Sequence, residues 1–146
     1  MALKKGSKAP DFTLPATSEK EITLSEHLPC ILYFYPKDFT PGCTMEACEF
    51  RDEFQEFRNL DINVFGINKD SIPTHEKFKA KHKLPFELIS DTMGEVVKRY
   101  DAVVPFIKAT KRITYLIDKD QNIQAVYDNM FGAEKHIGKM IAALNN

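Results

Sequence analysis

The sequence predicts an α/β protein in which a central mixed β-sheet is flanked by helices. Three observations lead there. Short apolar runs of strand length alternate along the chain with longer helical patterns, the order that joins parallel strands through helical crossovers. A turn-rich link, Asp118-Lys119-Asp120-Gln121-Asn122, separates the last two apolar runs and suits a hairpin. The 146 residues, 43% of them hydrophobic, fill one core and leave little room for two, so residues 1–146 are expected to form a single domain.

Each element has its own warrant. Cys30-Ile31-Leu32-Tyr33-Phe34-Tyr35 is an uninterrupted apolar run, as expected of a strand covered on both faces. Residues 62–67 read as the next strand. Ser71 then caps a helix running toward Lys83, with Pro73 tolerated in its first turn. Residues 86–89 read as a short strand and residues 94–100 as a short helix. Residues 113–117 and 123–127 form the hairpin. Ile137, Met140, Ile141 and Leu144 stand at i, i+3, i+4 and i+7, one apolar stripe of a closing helix. No repeat or low-complexity segment breaks the pattern, and the whole reads as an α/β sandwich of the thioredoxin type.

Charge and targeting signals exclude several classes. Acids number 21 and bases 20, so the net charge is −1. That balance lacks the basic footprint of a nucleic-acid module and the charge excess of a disordered tail. No apolar run approaches the roughly 20 residues that cross a bilayer. The charged start Met1-Ala2-Leu3-Lys4-Lys5 has no apolar stretch behind it, so no signal peptide is expected, and Ala2 stands where myristoylation needs glycine. Three cysteines cannot all pair within one chain, and a core of this size needs no staples. A soluble, cytoplasmic protein of a reducing compartment is expected, with neither nucleic acid nor membrane as partner.

The chemistry concentrates in residues 36–58. Thr40 suits an N-cap, Pro41 the first helical position, and Cys43 then falls at N3. A thiol there lies beside unpaired backbone N–H groups at the positive end of the helix dipole, a setting that favours reactivity. Cys43, Ala47, Phe50, Phe54 and Phe57 recur at helical steps and share one core-facing stripe. Cys48 lies five residues beyond Cys43, roughly 140° around an ideal helix, with Cα atoms roughly 8.6 Å apart. A disulfide tolerates about 7 Å at most, so the two can bridge only if the first turns unwind.

Rival readings are weighed on the same residues. Cys30, inside the strand run, reads as a core residue. His27, His75, His82 and His136 lack ligand spacing, and a C-x₄-C pair is a weak metal pattern, so no metal site is expected. A thiol–disulfide oxidoreductase would show C-x-x-C; a thiol-bearing binding or chaperone module is the non-enzymatic alternative. Lys77, Lys79, Lys81 and Lys83 read as a solvated face. Gly66 and Gly132 make no phosphate loop. Val103-Val104-Pro105-Phe106-Ile107 is either a buried loop or an apolar lip beside a site.

Tyr33-Phe34-Tyr35-Pro36-Lys37, followed by Thr40-Pro41-Gly42-Cys43-Thr44 and Ala47-Cys48, resembles the active-site signature of the peroxiredoxins. The cysteine spacing is similar to that of the Q type, the bacterioferritin-comigratory proteins. The likeness runs from Gly6-Ser7-Lys8-Ala9-Pro10-Asp11-Phe12 through Arg112-Ile113-Thr114-Tyr115. It implies a thioredoxin-like fold and a thiol peroxidase without metal or organic cofactor. Its substrates would be hydrogen peroxide and organic hydroperoxides, and its reductant thioredoxin or a similar dithiol. By the resemblance Cys43 is the peroxidatic cysteine and Cys48 the resolving one. Thr40 is the hydroxyl that contacts thiolate and peroxide, Pro36 shields the pocket, and Arg112 returns to the thiolate. Glu46 and Gly42 are supporting positions. The segment 102–111 departs from the pattern: it is shorter, with Pro105 where an aromatic is common. No cysteine follows Cys48, so no intersubunit disulfide is expected, and the working unit would be a monomer or at most a weak dimer.

The implied chemistry sets a requirement. The thiolate is the nucleophile, and a free cysteine of reference pKa about 8.5 is only about 3% thiolate at pH 7. Making the anion predominate takes roughly 2.7 kcal/mol. A helix terminus supplies about 0.3–2 kcal/mol and a charge-assisted hydrogen bond from Arg112 about 1.5–3 kcal/mol. Together they suffice.

Overall fold

A computed structural model of the chain describes residues 2–107, 109–128 and 140. Its main sheet is built around β3 (Cys30–Phe34), which is buried along its whole length. The strand order is β5-β4-β3-β6-β7. β4 (Asn63–Asn68) and β5 (Glu87–Ser90) run parallel to β3, whereas β6 (Ile113–Ile117) pairs antiparallel with it and β7 (Ile123–Asp128) with β6. The expected mixed sheet is therefore present, with strand ends displaced by a residue or so from the apolar runs.

The continuous apolar run of β3 has a simple cause. Successive side chains point to opposite faces, and both faces are covered. Cys30, Leu32 and Phe34 join one cluster with Tyr100, Ile113 and Tyr115. Ile31, Tyr33 and Tyr35 join the other with Cys43, Ala47, Phe50, Phe57 and Phe78. Tyr33 lies across β4 at Gly66, where an added Cβ would stand 2.7 Å from the Tyr33 Cζ. That glycine makes room for an aromatic ring, which the sequence did not reveal.

Two short strands, β1 (Thr13–Pro15) and β2 (Glu21–Thr23), pair antiparallel beside the main sheet, and a 3-10 turn (Leu24–Glu26) follows. Three-residue strands such as Glu-Ile-Thr carry no periodic signal, so these were not foreseen.

The helices cover the sheet. α1 (Pro41–Asp52) and α2 (Phe54–Asn59) correct the expectation of one unbroken apolar stripe. The chain turns at Glu53 (φ −99°, ψ 6°), which re-aims the second segment. Phe57 enters the core, while Phe54 stays half-buried against Phe86, their rings 6.2 Å apart. α3 (Ile72–His82) begins where Ser71 accepts from the Thr74 N–H and ends at Lys83 in the left-handed region, φ 53°. α4 (Glu95–Arg99) is short. Lys77, Lys81 and Lys83 are exposed, but Lys79 is half-buried and lies 3.7 Å from Glu87 Oε1, so the lysine face is not wholly solvated. The closing helix expected over Ile137, Ile141 and Leu144 lies outside the described residues; Met140 is helical and buried in the same cluster as Phe57. No helix among the described residues is long and apolar enough to cross a membrane.

Candidate active site

β3, the central strand, hands the chain to the loop 36–40, which opens α1. Thr40 occupies the N-cap position with extended backbone, φ −80° and ψ 149°, and Pro41 follows at the first helical position. The cap differs from expectation in one respect. The Thr40 hydroxyl donates to the Lys37 carbonyl at 2.8 Å instead of accepting from the helix, so no side chain caps α1. The free N–H groups of the first turn are thereby left for another acceptor. Cys43, at N3, is 1% exposed.

Arg112 reaches this cysteine from the far side of the chain. Phe34 and Ile113 are register partners between β3 and β6. Residue 112 therefore stands beside the strand end from which the loop to Cys43 departs. Its Nη2 donates to Cys43 Sγ at 3.4 Å, and its Nη1 donates to Glu46 Oε1 at 2.5 Å. Cys43 and Glu46 lie three residues apart on one helical face, so a single guanidinium spans both. Gly42 leaves the space: a Cβ there would stand 3.0 Å from Arg112 Nη2.

The electrostatics of this group follow from its burial. Glu46 is fully buried, and burial pushes its carboxyl up to about 7 against the pull of Arg112. Its Oε2 has no hydrogen-bond partner among the described residues. Burial disfavours the guanidinium charge, but Glu46 and Cys43 outweigh it and hold Arg112 above its ordinary range. A cation thus faces the sulfur in a site that excludes most water.

The other foreseen residues are placed differently. Pro36 is half-buried at the start of the loop, and Thr40 is half-buried with its hydroxyl turned to Lys37. Cys48 is half-buried, with its Sγ 3.9 Å from His82 Nδ1, and all three cysteines are free. Cys30 is fully buried in the sheet, and burial pushes its thiol up to about 12, as suits an inert core residue. Val103 bridges Thr110, but Phe106 and Ile107 project into solvent, so this segment is an exposed apolar lip ahead of Arg112 and not a buried loop.

Sequence reasoning missed the support beneath the loop. Asp38 and His75 are both wholly buried and meet at 2.6 Å, Oδ2 to Nδ1. The Tyr35 hydroxyl donates to Asp38 Oδ1 at 2.5 Å, the Asp38 N–H donates to Asp70 Oδ2 at 2.8 Å, and His75 Nε2 donates to the Ile89 carbonyl at 3.1 Å. The signal was there. His75 precedes Phe78 by three residues on the buried side of α3, and a polar residue on an apolar stripe needs a partner.

Comparison with known proteins completes the description. Residues 5–126 match the AhpC/TSA family. The chain is 41% identical over 147 residues to the chloroplastic peroxiredoxin Q of Oryza sativa subsp. japonica, covering 99% of this chain and 68% of that protein. It is 40% identical over 153 residues to a bcp-type peroxiredoxin sequence from Coxiella burnetii, covering 99% of this chain and 100% of the other. Among solved structures, peroxidoxin BcpB from Mycobacterium tuberculosis is similar with a TM-score of 0.92 and 33% identity, over 98% of this chain and 97% of that one. Xanthomonas campestris peroxiredoxin Q is similar with a TM-score of 0.85 and 27% identity, over 92% of this chain and 89% of that one.

Proposed function

The chain belongs to the AhpC/TSA family and is a thiol-dependent peroxidase of the peroxiredoxin Q and bcp kind, and from that premise we propose that Cys43 is its peroxidatic and Cys48 its resolving cysteine. The observation that carries the assignment is the Arg112 guanidinium, which lies 3.4 Å from Cys43 Sγ and is held there by Glu46. No guanidinium hydrogen-bonds to the sulfur of Cys30 or Cys48 among the described contacts.

The geometry supports the following sequence. The Cys43 thiolate attacks one peroxide oxygen, the O–O bond breaks, and the second oxygen leaves as water or an alcohol after taking up a proton. Arg112 and the uncapped N–H groups of α1 stabilise the sulfur anion and the charge that develops on the leaving oxygen. Pro36 screens the sulfur. Thr40 can accept from a peroxide O–H while its own hydroxyl goes on donating to the Lys37 carbonyl. Cys43 is left as a sulfenic acid, which Cys48 condenses to a disulfide with loss of water before further oxidation intervenes. That condensation needs α1 to unwind, because regular helix geometry separates the two sulfurs. A dithiol such as thioredoxin then reduces the disulfide by exchange.

Hydrogen peroxide and organic hydroperoxides are the substrates in this reading, and a monomer, or at most a weak dimer, is the working unit. A single domain over residues 1–146 and a reducing compartment, the cytoplasm, complete it; the plant relatives are named as chloroplastic proteins. Peroxide consumption with and without a thioredoxin system is the test. Cys43→Ser should be inactive, and Cys48→Ser should turn over once and accumulate sulfinic acid on Cys43 by mass spectrometry. Full activity of Cys43→Ser would sink the assignment.

A further inference from the structure

The reaction proposed above requires Cys48 to leave α1, and two contacts from α1 oppose that. Cys48 Sγ lies 3.9 Å from His82 Nδ1. Three residues further along α1, Arg51 Nη1 donates to the His82 carbonyl oxygen at 2.9 Å. That carbonyl belongs to the last residue of α3 (Ile72–His82). Lys83 turns into the left-handed region, and its N–H returns to the Ala80 and Lys79 carbonyls, as the Leu84 N–H does to Lys79. None of these turns back to the His82 oxygen, which sits at the negative end of the helix dipole. A guanidinium is a fitting partner for it. The His82 ring is itself seated edge-on against Phe78, a fully buried side chain, at 5.0 Å. Both contacts therefore converge on one well-anchored residue.

We propose that Arg51 and His82 form a clasp that keeps α1 wound and sets the rate at which Cys48 is released to the sulfenic acid on Cys43. The proposal rests on the reading of Cys48 as the resolving cysteine. In the step concerned, the Cys48 sulfur forms the S–S bond, the S–O bond of Cys43 breaks, and the thiol proton leaves with the hydroxide as water. Cys48 must abandon His82 to take part. The Cys48 contact therefore belongs to the wound helix alone, and the Arg51 bond, one turn on, is lost as the turn that carries it loosens. Contacts made in only one of two states bias the equilibrium toward that state. Arg51 and His82 are thus positioning residues, and weakening them should speed resolution. A long-lived sulfenic acid is open to further oxidation, so the clasp also sets how readily Cys43 is over-oxidised.

The two contacts differ in weight. Burial, Lys81 and Arg51 hold the His82 ring below its ordinary range, so the ring carries no charge near pH 7 and its 3.9 Å contact with the Cys48 sulfur is weak. The charged bond from Arg51 contributes more. Arg51 Nε also meets Asp52 at 3.0 Å, but Asp52 is largely exposed and touches neither His82 nor Cys48 among the described contacts. Asp52 is therefore the natural control.

Arg51→Met keeps the aliphatic stem and removes the bond. After a stoichiometric pulse of hydrogen peroxide, quenched flow with thiol blocking and mass spectrometry should show the Cys43–Cys48 disulfide forming about fivefold faster, allowing for the exposure of the pair. Sulfinic acid at excess peroxide should fall in proportion, while sulfenic acid formation, read in the Cys48→Ser background, should not change. His82→Phe keeps a ring against Phe78 and should accelerate the step about twofold. Arg51→Lys should return part of the lost restraint, and Asp52→Asn should match the parent. Disulfide formation that is unchanged or slower in Arg51→Met overturns the clasp, as does an equal acceleration in Asp52→Asn. A parent protein that consumes peroxide without forming the Cys43–Cys48 bond overturns the resolving-cysteine reading instead, and the clasp falls with it.

Discussion

Replacing Arg112 by methionine removes the cation from the Cys43 sulfur while keeping an unbranched side chain of similar reach. The bond lost is the Nη2 contact at 3.4 Å, a charge-assisted hydrogen bond worth about 1.5–3 kcal/mol. At 1.36 kcal/mol per tenfold, the rate of peroxide attack should drop about 13- to 160-fold. The fold should survive, because Glu46 is not left as a stranded anion. Its carboxyl already lies at about 7, and without Arg112 to oppose burial it moves further up and is neutral at pH 7. A buried carboxylic acid costs far less than the several kcal/mol of an unpaired buried charge. Competition with a second peroxidase for limiting hydrogen peroxide measures attack directly, and circular dichroism checks the fold. A rate within twofold of the parent, on a folded protein, would mean that the helix terminus stabilises the thiolate alone and that Arg112 has another role.

Three further outcomes follow from the same geometry. Gly42→Ala places a Cβ 3.0 Å from Arg112 Nη2, so the guanidinium must shift by a few tenths of an ångström; attack should slow several-fold, less than in Arg112→Met, with thermal stability nearly unchanged. Glu46→Gln should alter the pH dependence of stability. The folded carboxyl is raised to about 7, so the folded state binds more protons than the unfolded one between about pH 4.5 and 7, and stability falls as pH rises through that window. Denaturant titrations should show the fall in the parent and a flatter profile in the variant. Finally, amides of residues 44–50 should exchange faster in the disulfide form than in the reduced form. Equal protection in both, with the Cys43–Cys48 bond confirmed by peptide mapping, would contradict the unwinding of α1.

The parts of this fold that could be read in advance are those whose residues carry their environment with them. β3 was legible because burial on both faces leaves an apolar residue at every position, and α3 because Ser71 and Pro73 mark its start. β1 and β2 were not, since three residues cannot display a period. The turn at Glu53 was hidden for the opposite reason: the apolar stripe runs straight through it, and the break shows only in which phenylalanine reaches the core. In the site, Cys43 and Arg112 were named through a motif, and Thr40 was named as an N-cap position, where its hydroxyl donates to the Lys37 carbonyl and does not cap the helix. His75 announced itself only as a polar residue on the buried stripe of α3, and nothing local named Asp38, on a distant loop, as its hydrogen-bond partner. Two residues 37 positions apart carry no mark of their pairing.

The strut of Tyr35, Asp38 and His75 gives the moving helix a stationary side. With both carboxylate oxygens of Asp38 engaged and both ring nitrogens of His75 occupied, the stretch just upstream of Cys43 is moored to α3 and β5. In the proposed cycle α1 loosens in its downstream portion, so Cys48 would travel to Cys43 and not the reverse. The anion berth beneath Cys43 is then still standing in the oxidised protein. A reductant that strikes the Cys48 sulfur ejects Cys43 as a thiolate into a berth already furnished with a guanidinium, and a stabilised leaving thiolate departs faster. The return half of the proposed cycle is thus pulled along by the same charge that serves the first.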